Sequence, residues 1–88
     1  MGAYLMYKII IKNPAKKFID KLPINEKKRL VAAIEGLPDN GDIKRLQGYD
    51  GYYRLRVGSY RIIFHVDNGE LIVYVVDIGN RGQIYNRY

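Results

Sequence analysis

Three arginines stand in a short segment whose other residues are typical of β-strands. The segment is YYRLRVGSYRIIF, residues 52–64, and it contains Arg54, Arg56 and Arg61. A guanidinium group is planar, keeps its charge at neutral pH, and forms paired hydrogen bonds with phosphate oxygens. Three such groups on neighbouring strands therefore predict an anion-binding surface, and phosphate is the anion that they suit best.

The competing interpretation is that each arginine pairs with a carboxylate of the same chain. Four acidic residues are near in sequence, namely Asp50, Asp67, Glu70 and Asp77, but none lies within the segment itself. The alternation of side chains along paired strands places arginine beside arginine. We therefore favour a surface that receives an external anion.

Further residues of the same chemical kind flank this segment. Lys44 and Arg45 precede it in KRLQG, and Arg81 and Tyr85 follow it in GNRGQIYNRY. Aromatic residues interleaved with positive charge are typical of grooves that bind single-stranded nucleic acid. Most of the nine tyrosines are interpreted as packing residues, whereas Tyr85 lies in a polar segment and is the one that packing explains least.

The charge balance agrees with a polyanionic partner. Fifteen Lys and Arg residues against nine Asp and Glu residues give a formal net charge of +6. Seven of the eight lysines lie at or before Lys28, while six of the seven arginines lie at or after Arg45. Lysine on an amphipathic helix is generic solvation, whereas arginine on strands suits phosphate recognition.

Several classes of site and protein are disfavoured. The chain has no cysteine, which removes disulfides and thiolate nucleophiles and fits a reducing, cytoplasmic setting. His65 is its only histidine, and the sequence shows no cluster of His, Cys or carboxylate ligands, so we expect no metal. We also expect no other cofactor. We interpret His65 as a strand residue that is at most accessory to the site. No apolar run approaches the length of a membrane-spanning helix, so no membrane partner is expected.

The first half of the chain predicts one strand and two helices. Residues 7–12, YKIIIK, form a β-branched run typical of a strand. Two sets of apolar residues then follow helical spacing, Ala15, Phe18, Ile19 and Leu22, and Leu30, Ala33, Ile34 and Leu37. The link between these sets is short, which predicts a helical hairpin.

The second half predicts three strands in an antiparallel meander. Side chains alternate in YYRLRV and YRIIFHVD, which a two-residue Gly-Ser turn joins, and ELIVYVVDI is a central apolar strand. The fold class is thus α+β, with both helices packed on one sheet face and the arginine-bearing face left to solvent or ligand. We expect residues 1–88 to be a single domain. Residues 1–5 are interpreted as a tag remnant or an alternative start, and residues 79–88 as a functional C-terminal tail.

The order of elements and these motifs resemble the RelE/ParE superfamily of toxins from type II toxin–antitoxin systems. The resemblance covers residues 7–85 and is most specific at Y-R-x-R-x-G-x-Y-R followed by G-x-R-x-x-I-Y. It implies the RelE-like fold. In the RelE branch it also implies a ribosome-dependent mRNA endonuclease that inhibits translation, in which the ribose 2′-hydroxyl attacks the adjacent phosphate without a metal.

The resemblance also implies roles for individual residues. The matching catalytic positions are Arg56, Arg61, Arg81 and Tyr85, and the substrate-binding positions are Lys44, Arg45 and Arg54. Several relatives carry lysine where this chain has Arg54 and Arg56, and arginine cannot act as a base. The proton of the 2′-hydroxyl is then taken by Tyr85, by His65 or by neither.

The resemblance further implies partners and leaves alternatives open. The expected partners are a cognate antitoxin with a small, flexible, acidic segment, and the ribosome with its mRNA. DNA is expected to be bound only indirectly, through the antitoxin. The alternatives are a ParE-like inhibitor of DNA gyrase and a non-catalytic module that binds RNA or an acidic protein.

Overall fold

The computed structural model of the chain describes residues 7–85, which form one mixed sheet and three helices. The strands are β1 Lys8–Ile11, β2 Asp42–Arg45, β3 Tyr52–Val57, β4 Tyr60–Asp67 and β5 Ile72–Asn80. The helices are α1 Asn13–Asp20, α2 Ile24–Glu35 and α3 Arg81–Ile84. The predicted α+β class, with a strand, a helical hairpin and a meander, is confirmed.

The sheet has the strand order β1-β5-β4-β3-β2. β1 pairs with β5 in parallel, and the other neighbours pair antiparallel. β2 was not predicted, because its residues DIKR include a single apolar side chain and so show no apolar alternation. It is a strand because it pairs along the whole of its length with the open edge of β3.

Both long helices pack on one face of the sheet, as predicted. Their buried residues are Ala15, Ile19, Leu30 and Ile34, and the sheet contributes Leu55, Ile62, Phe64, Val73, Val75 and Ile78. Burying a Val, Leu, Ile or Phe side chain stabilises the fold by about 1.5–3 kcal/mol. This face therefore supplies most of the hydrophobic stabilisation, and the opposite face can carry polar residues.

The register of β3 and β4 places the strand arginines together on that opposite face. Arg56 lies directly across from Arg61, and Arg54 lies across from Ile63. A two-residue turn joins the strands, and Gly58 in that turn has φ 59°, a value that primed hairpin turns require. The register shifts between β4 and β5, where Val76 is the additional residue, but the alternation between β3 and β4 is unbroken.

The arginine-bearing face is not left wholly to solvent, which corrects the expectation. Residues 79–80 of the predicted tail end β5, and α3 then contacts β4 and β5. Ile63 and Ile84 are completely buried, although neither belongs to the main core. Residues 1–6 and 86–88 lie outside the described residues. Within residues 7–85, the helices are too short and polar for any of them to cross a membrane.

Candidate functional site

A cleft of about 470 Å³ opens on the arginine-bearing face of the sheet. Its lining residues are Asp42, Lys44, Arg45, Leu46, Gln47, Arg54, Arg56, Arg61, Arg81 and Tyr85. Every predicted catalytic and substrate-binding residue is in this list, and His65 is not. Among the described lining residues, six basic side chains surround a single carboxylate, so the cleft carries a strong positive charge.

Two rows of side chains cross the strands beneath the cleft. The first row is Asp42 on β2, Arg56 on β3 and Arg61 on β4. Like charges directly opposite each other destabilise a strand pair, so Arg56 and Arg61 each need a compensating partner. The second row places Lys44 beside Arg54 and repeats the same problem one step along the strands.

Asp42 is the compensating partner for two arginines. Nε of Arg56 donates to Oδ2 of Asp42 at 2.8 Å, and Nη2 of Arg54 lies 3.7 Å from Oδ1 of Asp42. The sequence interpretation disfavoured pairing within the chain, and for these two arginines it was wrong. The reason is β2, which was not predicted and which brings a carboxylate across from Arg56.

Arg61 is held by backbone groups of the neighbouring turn. Its Nη1 donates to the carbonyl oxygens of Gly58 at 2.8 Å and Tyr60 at 3.0 Å, and the residue is 6% exposed. A guanidinium group has five N–H donors. Within residues 7–85 both bonds involve Nη1, which leaves Nε and Nη2 as donors for a bound anion. The side chain is thus oriented before any ligand arrives.

Arg81 and Tyr85 reach the cleft from α3 and the residue after it. The backbone N–H of Arg81 donates to the carbonyl oxygen of Ser59 at 3.0 Å, which ties the start of α3 to the β3–β4 turn. Ile84 is buried and anchors the other end of the helix. Residues four apart on a helix share a side, so the exposed side chains of Arg81 and Tyr85 both line the cleft.

The edge of the cleft is formed by β2 and the residues after it. Arg45 lies 3.8 Å from Asp50 in an ion pair whose side chains are both highly exposed. Such a pair contributes at most about 1 kcal/mol, so Arg45 is available to a ligand. Leu46 and Gln47 also line the cleft. They were missed because neither side chain is charged or titratable, although both belong to the KRLQG motif.

His65 lies outside the cleft and holds a turn. Its Nδ1 donates to the carbonyl oxygen of Gly51 at 2.8 Å, and the backbone N–H of Val66 donates to the same oxygen at 3.2 Å. Gly51 has φ 77°, and a Cβ there would lie 2.9 Å from the His65 ring. His65 therefore positions the connection between β2 and β3, which also carries Gln47.

The fold and motifs match known toxins. The family model of the ParE toxin of the type II toxin–antitoxin system parDE matches residues 9–85. Toxin RelE3 of Methanocaldococcus jannaschii is 39% identical over 70 residues, which cover 68% of this chain and 78% of the relative. RelE1 of the same organism is 30% identical over 87 residues, which cover 92% and 97%.

Solved structures agree with these sequence matches. A crystal structure of the RelB–RelE antitoxin–toxin complex from Methanococcus jannaschii matches with a TM-score of 0.72 and 28% identity, covering 90% of this chain and 98% of the other. The isolated E. coli RelE toxin matches with a TM-score of 0.61 and 23% identity, covering 92% and 93%, and shares the fold. The chain therefore belongs to the RelE/ParE superfamily of toxins of type II toxin–antitoxin systems.

Proposed function

We propose that this toxin is a metal-independent mRNA interferase, which cuts messenger RNA on the ribosome in the cytoplasm and so inhibits translation. One observation carries the proposal: six basic side chains and Tyr85 line a single cleft of about 470 Å³. Clustered guanidinium groups of fixed orientation suit the phosphoryl group at which RNA is cut.

The proposed reaction is a transfer within the RNA strand. The ribose 2′-oxygen attacks the adjacent phosphorus, and the bond from phosphorus to the 5′-oxygen of the next nucleotide breaks. The products are a 2′,3′-cyclic phosphate and a 5′-hydroxyl, so one proton leaves the 2′-hydroxyl and one reaches the 5′-oxygen. Negative charge builds on the phosphoryl oxygens, and fixed cationic donors stabilise it.

The positions of the cleft residues support a separate role for each of them in the reaction. Arg61, already oriented by two carbonyl oxygens, and the exposed Arg56 clamp the phosphoryl oxygens. Arg81 faces them from α3 and stabilises the departing 5′-oxygen. Tyr85 stacks on a base or accepts the proton of the 2′-hydroxyl. The substrate-binding residues that hold flanking phosphates are Lys44, Arg45 and Arg54.

The proposal is tested in a translation reaction with purified protein. Message 5′ ends are mapped by primer extension for the wild type and for Arg56→Gln and Arg81→Gln. Each substitution is expected to lower cleavage by about 100- to 1,000-fold, as loss of one transition-state donor does elsewhere. The matched control is Lys28→Gln, which removes an exposed cation from α2 and should leave cleavage unchanged. Uncut message with active ribosomes contradicts the proposal.

We also propose a cognate antitoxin as partner. The proposal is supported by the RelB–RelE complex, in which a 28% identical toxin is bound to an antitoxin. An acidic, flexible segment suits the positive cleft and could fold as it binds. Coexpression with the product of the adjacent gene should yield a complex that copurifies, and separate elution of the two proteins would count against it. DNA binding is expected only for that complex.

A second candidate function is inhibition of DNA gyrase. The match of residues 9–85 to a ParE family model favours it. A gyrase inhibitor would alter supercoiling or produce DNA breaks and leave messages intact. A non-catalytic RNA- or acidic-protein-binding module would give neither result. Supercoiling assays beside the primer-extension assay therefore separate the three functions.

A further inference from the structure

A row of three aromatic rings crosses the arginine-bearing face outside the cleft. Tyr52 on β3 lies opposite His65 on β4, and His65 lies opposite Tyr74 on β5. The ring centroids of Tyr52 and His65 are 4.7 Å apart with a 34° tilt, and those of His65 and Tyr74 are 6.1 Å apart with a 23° tilt. All three residues are half-buried, so the row has an accessible side.

A lysine lies at one end of this aromatic row. Nζ of Lys12 is 5.4 Å from the centroid of the Tyr74 ring, and the backbone N–H of Lys12 donates to the carbonyl oxygen of Val75 at 2.8 Å. The parallel pairing of β1 with β5 therefore holds a cation beside the ring. Lys12 itself is exposed, so its ammonium group can leave the ring and contact an anion.

The row and the lysine line a depression of their own. It has a volume of about 330 Å³, and its lining residues are Lys12, Tyr52, His65, Tyr74 and Val76. Val76 is the additional residue at the register shift between β4 and β5. No acidic side chain is among these described lining residues, so the depression combines aromatic surface with positive charge.

We propose that this depression binds a nucleobase of the RNA strand whose phosphate occupies the cleft. The inference rests on the proposed nuclease function and adds a second contact for the same substrate. The row lies four residues along β3 from Arg56, or roughly 13 Å at the rise of an antiparallel strand. An RNA strand advances about 3.4 Å per stacked nucleotide, so a few nucleotides would span the distance from the cleft to the aromatic row.

The chemistry favours RNA over a purely structural stack. Base–aromatic stacking tolerates any sequence, because every base has a π-face. The ammonium group of Lys12 would move off the Tyr74 ring, so that the base can stack there, and would pair with the phosphate of the same nucleotide. The row therefore adds affinity for the strand, while the cleft arginines carry the reaction.

The test measures binding of a fluorescent single-stranded oligoadenosine of about 12 nucleotides by anisotropy. Tyr74→Leu should weaken binding by about 5- to 150-fold, as loss of one stacking ring does elsewhere. Tyr74→Phe keeps the ring and should bind like the wild type. Lys12→Gln should weaken binding and make the dependence of log K on log salt shallower by about 0.7. Lys17→Gln, which removes an exposed charge from α1, is the matched control.

Thermal unfolding of each variant shows whether it is folded. If Tyr74→Leu does not fold, Lys12→Gln still tests the inference. The inference is overturned if Tyr74→Leu and Lys12→Gln bind like Lys17→Gln, if Tyr74→Phe loses as much affinity as Tyr74→Leu, or if the wild type does not bind the oligonucleotide. It is also overturned if the substitutions weaken only copurification with the antitoxin.

The same protein preparations separate this inference from the proposed function. If messages are still cut but Tyr74→Leu binds the oligonucleotide as tightly as the wild type, the stacking site is refuted and the nuclease function stands. Binding that depends on the Tyr74 ring, while messages on active ribosomes stay uncut, contradicts the nuclease function and supports the stacking site.

Discussion

Asp42 pairs with two of the arginines that, in the proposed function, would bind a phosphate group of RNA. Its carboxylate accepts from Nε of Arg56 at 2.8 Å and lies 3.7 Å from Nη2 of Arg54. Asp42→Asn keeps the size of the side chain and removes its charge. We expect that this substitution lowers the free energy of unfolding and, at the same time, tightens the association with RNA.

The loss of stability follows from the exposure of the partners. A hydrogen bond to a charged group contributes about 1.5–3 kcal/mol when it is well shielded, and an exposed ion pair contributes about 0–1 kcal/mol. The side chains of Asp42 and Arg56 are 41% and 54% exposed, whereas that of Arg54 is 10% exposed. The expected loss is therefore about 1–2 kcal/mol, and each kcal/mol lowers Tm by roughly 4–8 °C in a domain of this size.

The gain in RNA binding follows from the charge that is released. Arg56 no longer has an internal carboxylate and can contact one more phosphate. For a single strand, each added phosphate contact makes the slope of log K against log salt more negative by about 0.7. Tighter binding at low salt and a steeper salt dependence should therefore appear together.

The assay combines thermal unfolding with RNA anisotropy over a series of salt concentrations. The matched control is Asp50→Asn, because Asp50 meets Arg45 at 3.8 Å and both side chains are highly exposed. That control should change neither the Tm nor the salt slope appreciably. If Asp42→Asn binds RNA more weakly at every salt concentration while remaining folded, Asp42 orients the arginines instead of competing with phosphate, and the reasoning is refuted.

Three further outcomes are expected. Arg61→Lys keeps the charge and loses the paired bonds to the turn carbonyls, so it should lower the free energy of unfolding by about 1–3 kcal/mol, measured in urea; an unchanged midpoint would contradict the structural role of those bonds. His65→Phe should speed amide hydrogen exchange around Gly51 and leave the pH profile of message cleavage unaltered, whereas an altered profile would return His65 to the reaction. Partial burial and then the Glu26 carboxylate raise the pKa of Tyr60, so its stability contribution is full below the unfolded value near 10 and is lost as pH rises through the higher folded pKa. Glu26→Gln should shift the phenolate absorbance titration of Tyr60, identified by comparison with Tyr60→Phe, to lower pH, and an unshifted titration would contradict that assignment.

The alternation of β3 and β4 was readable from the sequence alone. Side chains on a strand alternate with a period of two, so Arg54, Arg56 and Arg61 had to share a face wherever the two strands paired across a two-residue turn. The helices were equally plain, because apolar residues recur at helical spacing from Ala15 to Leu22 and from Leu30 to Leu37.

Other features exist only because distant segments meet. β2 has no apolar pattern of its own and becomes a strand at the edge of β3, which is how Asp42 reaches two arginines. α3 covers part of the arginine-bearing face, since Ile84 is buried outside the main core. Spacing along the chain contains no information about such contacts.

The position of His65 shows the same division. Its strand and its face could be read from the alternating pattern, but its hydrogen bond to Gly51 and its place between two tyrosines come from three strands lying side by side. Lys12 meets Tyr74 only because β1 pairs in parallel with β5. Local periodicity thus determined which residues share a face. Strand pairing decided which of them form the cleft and which form the aromatic row, because side chains from different strands come within a few ångströms only through the register of the sheet.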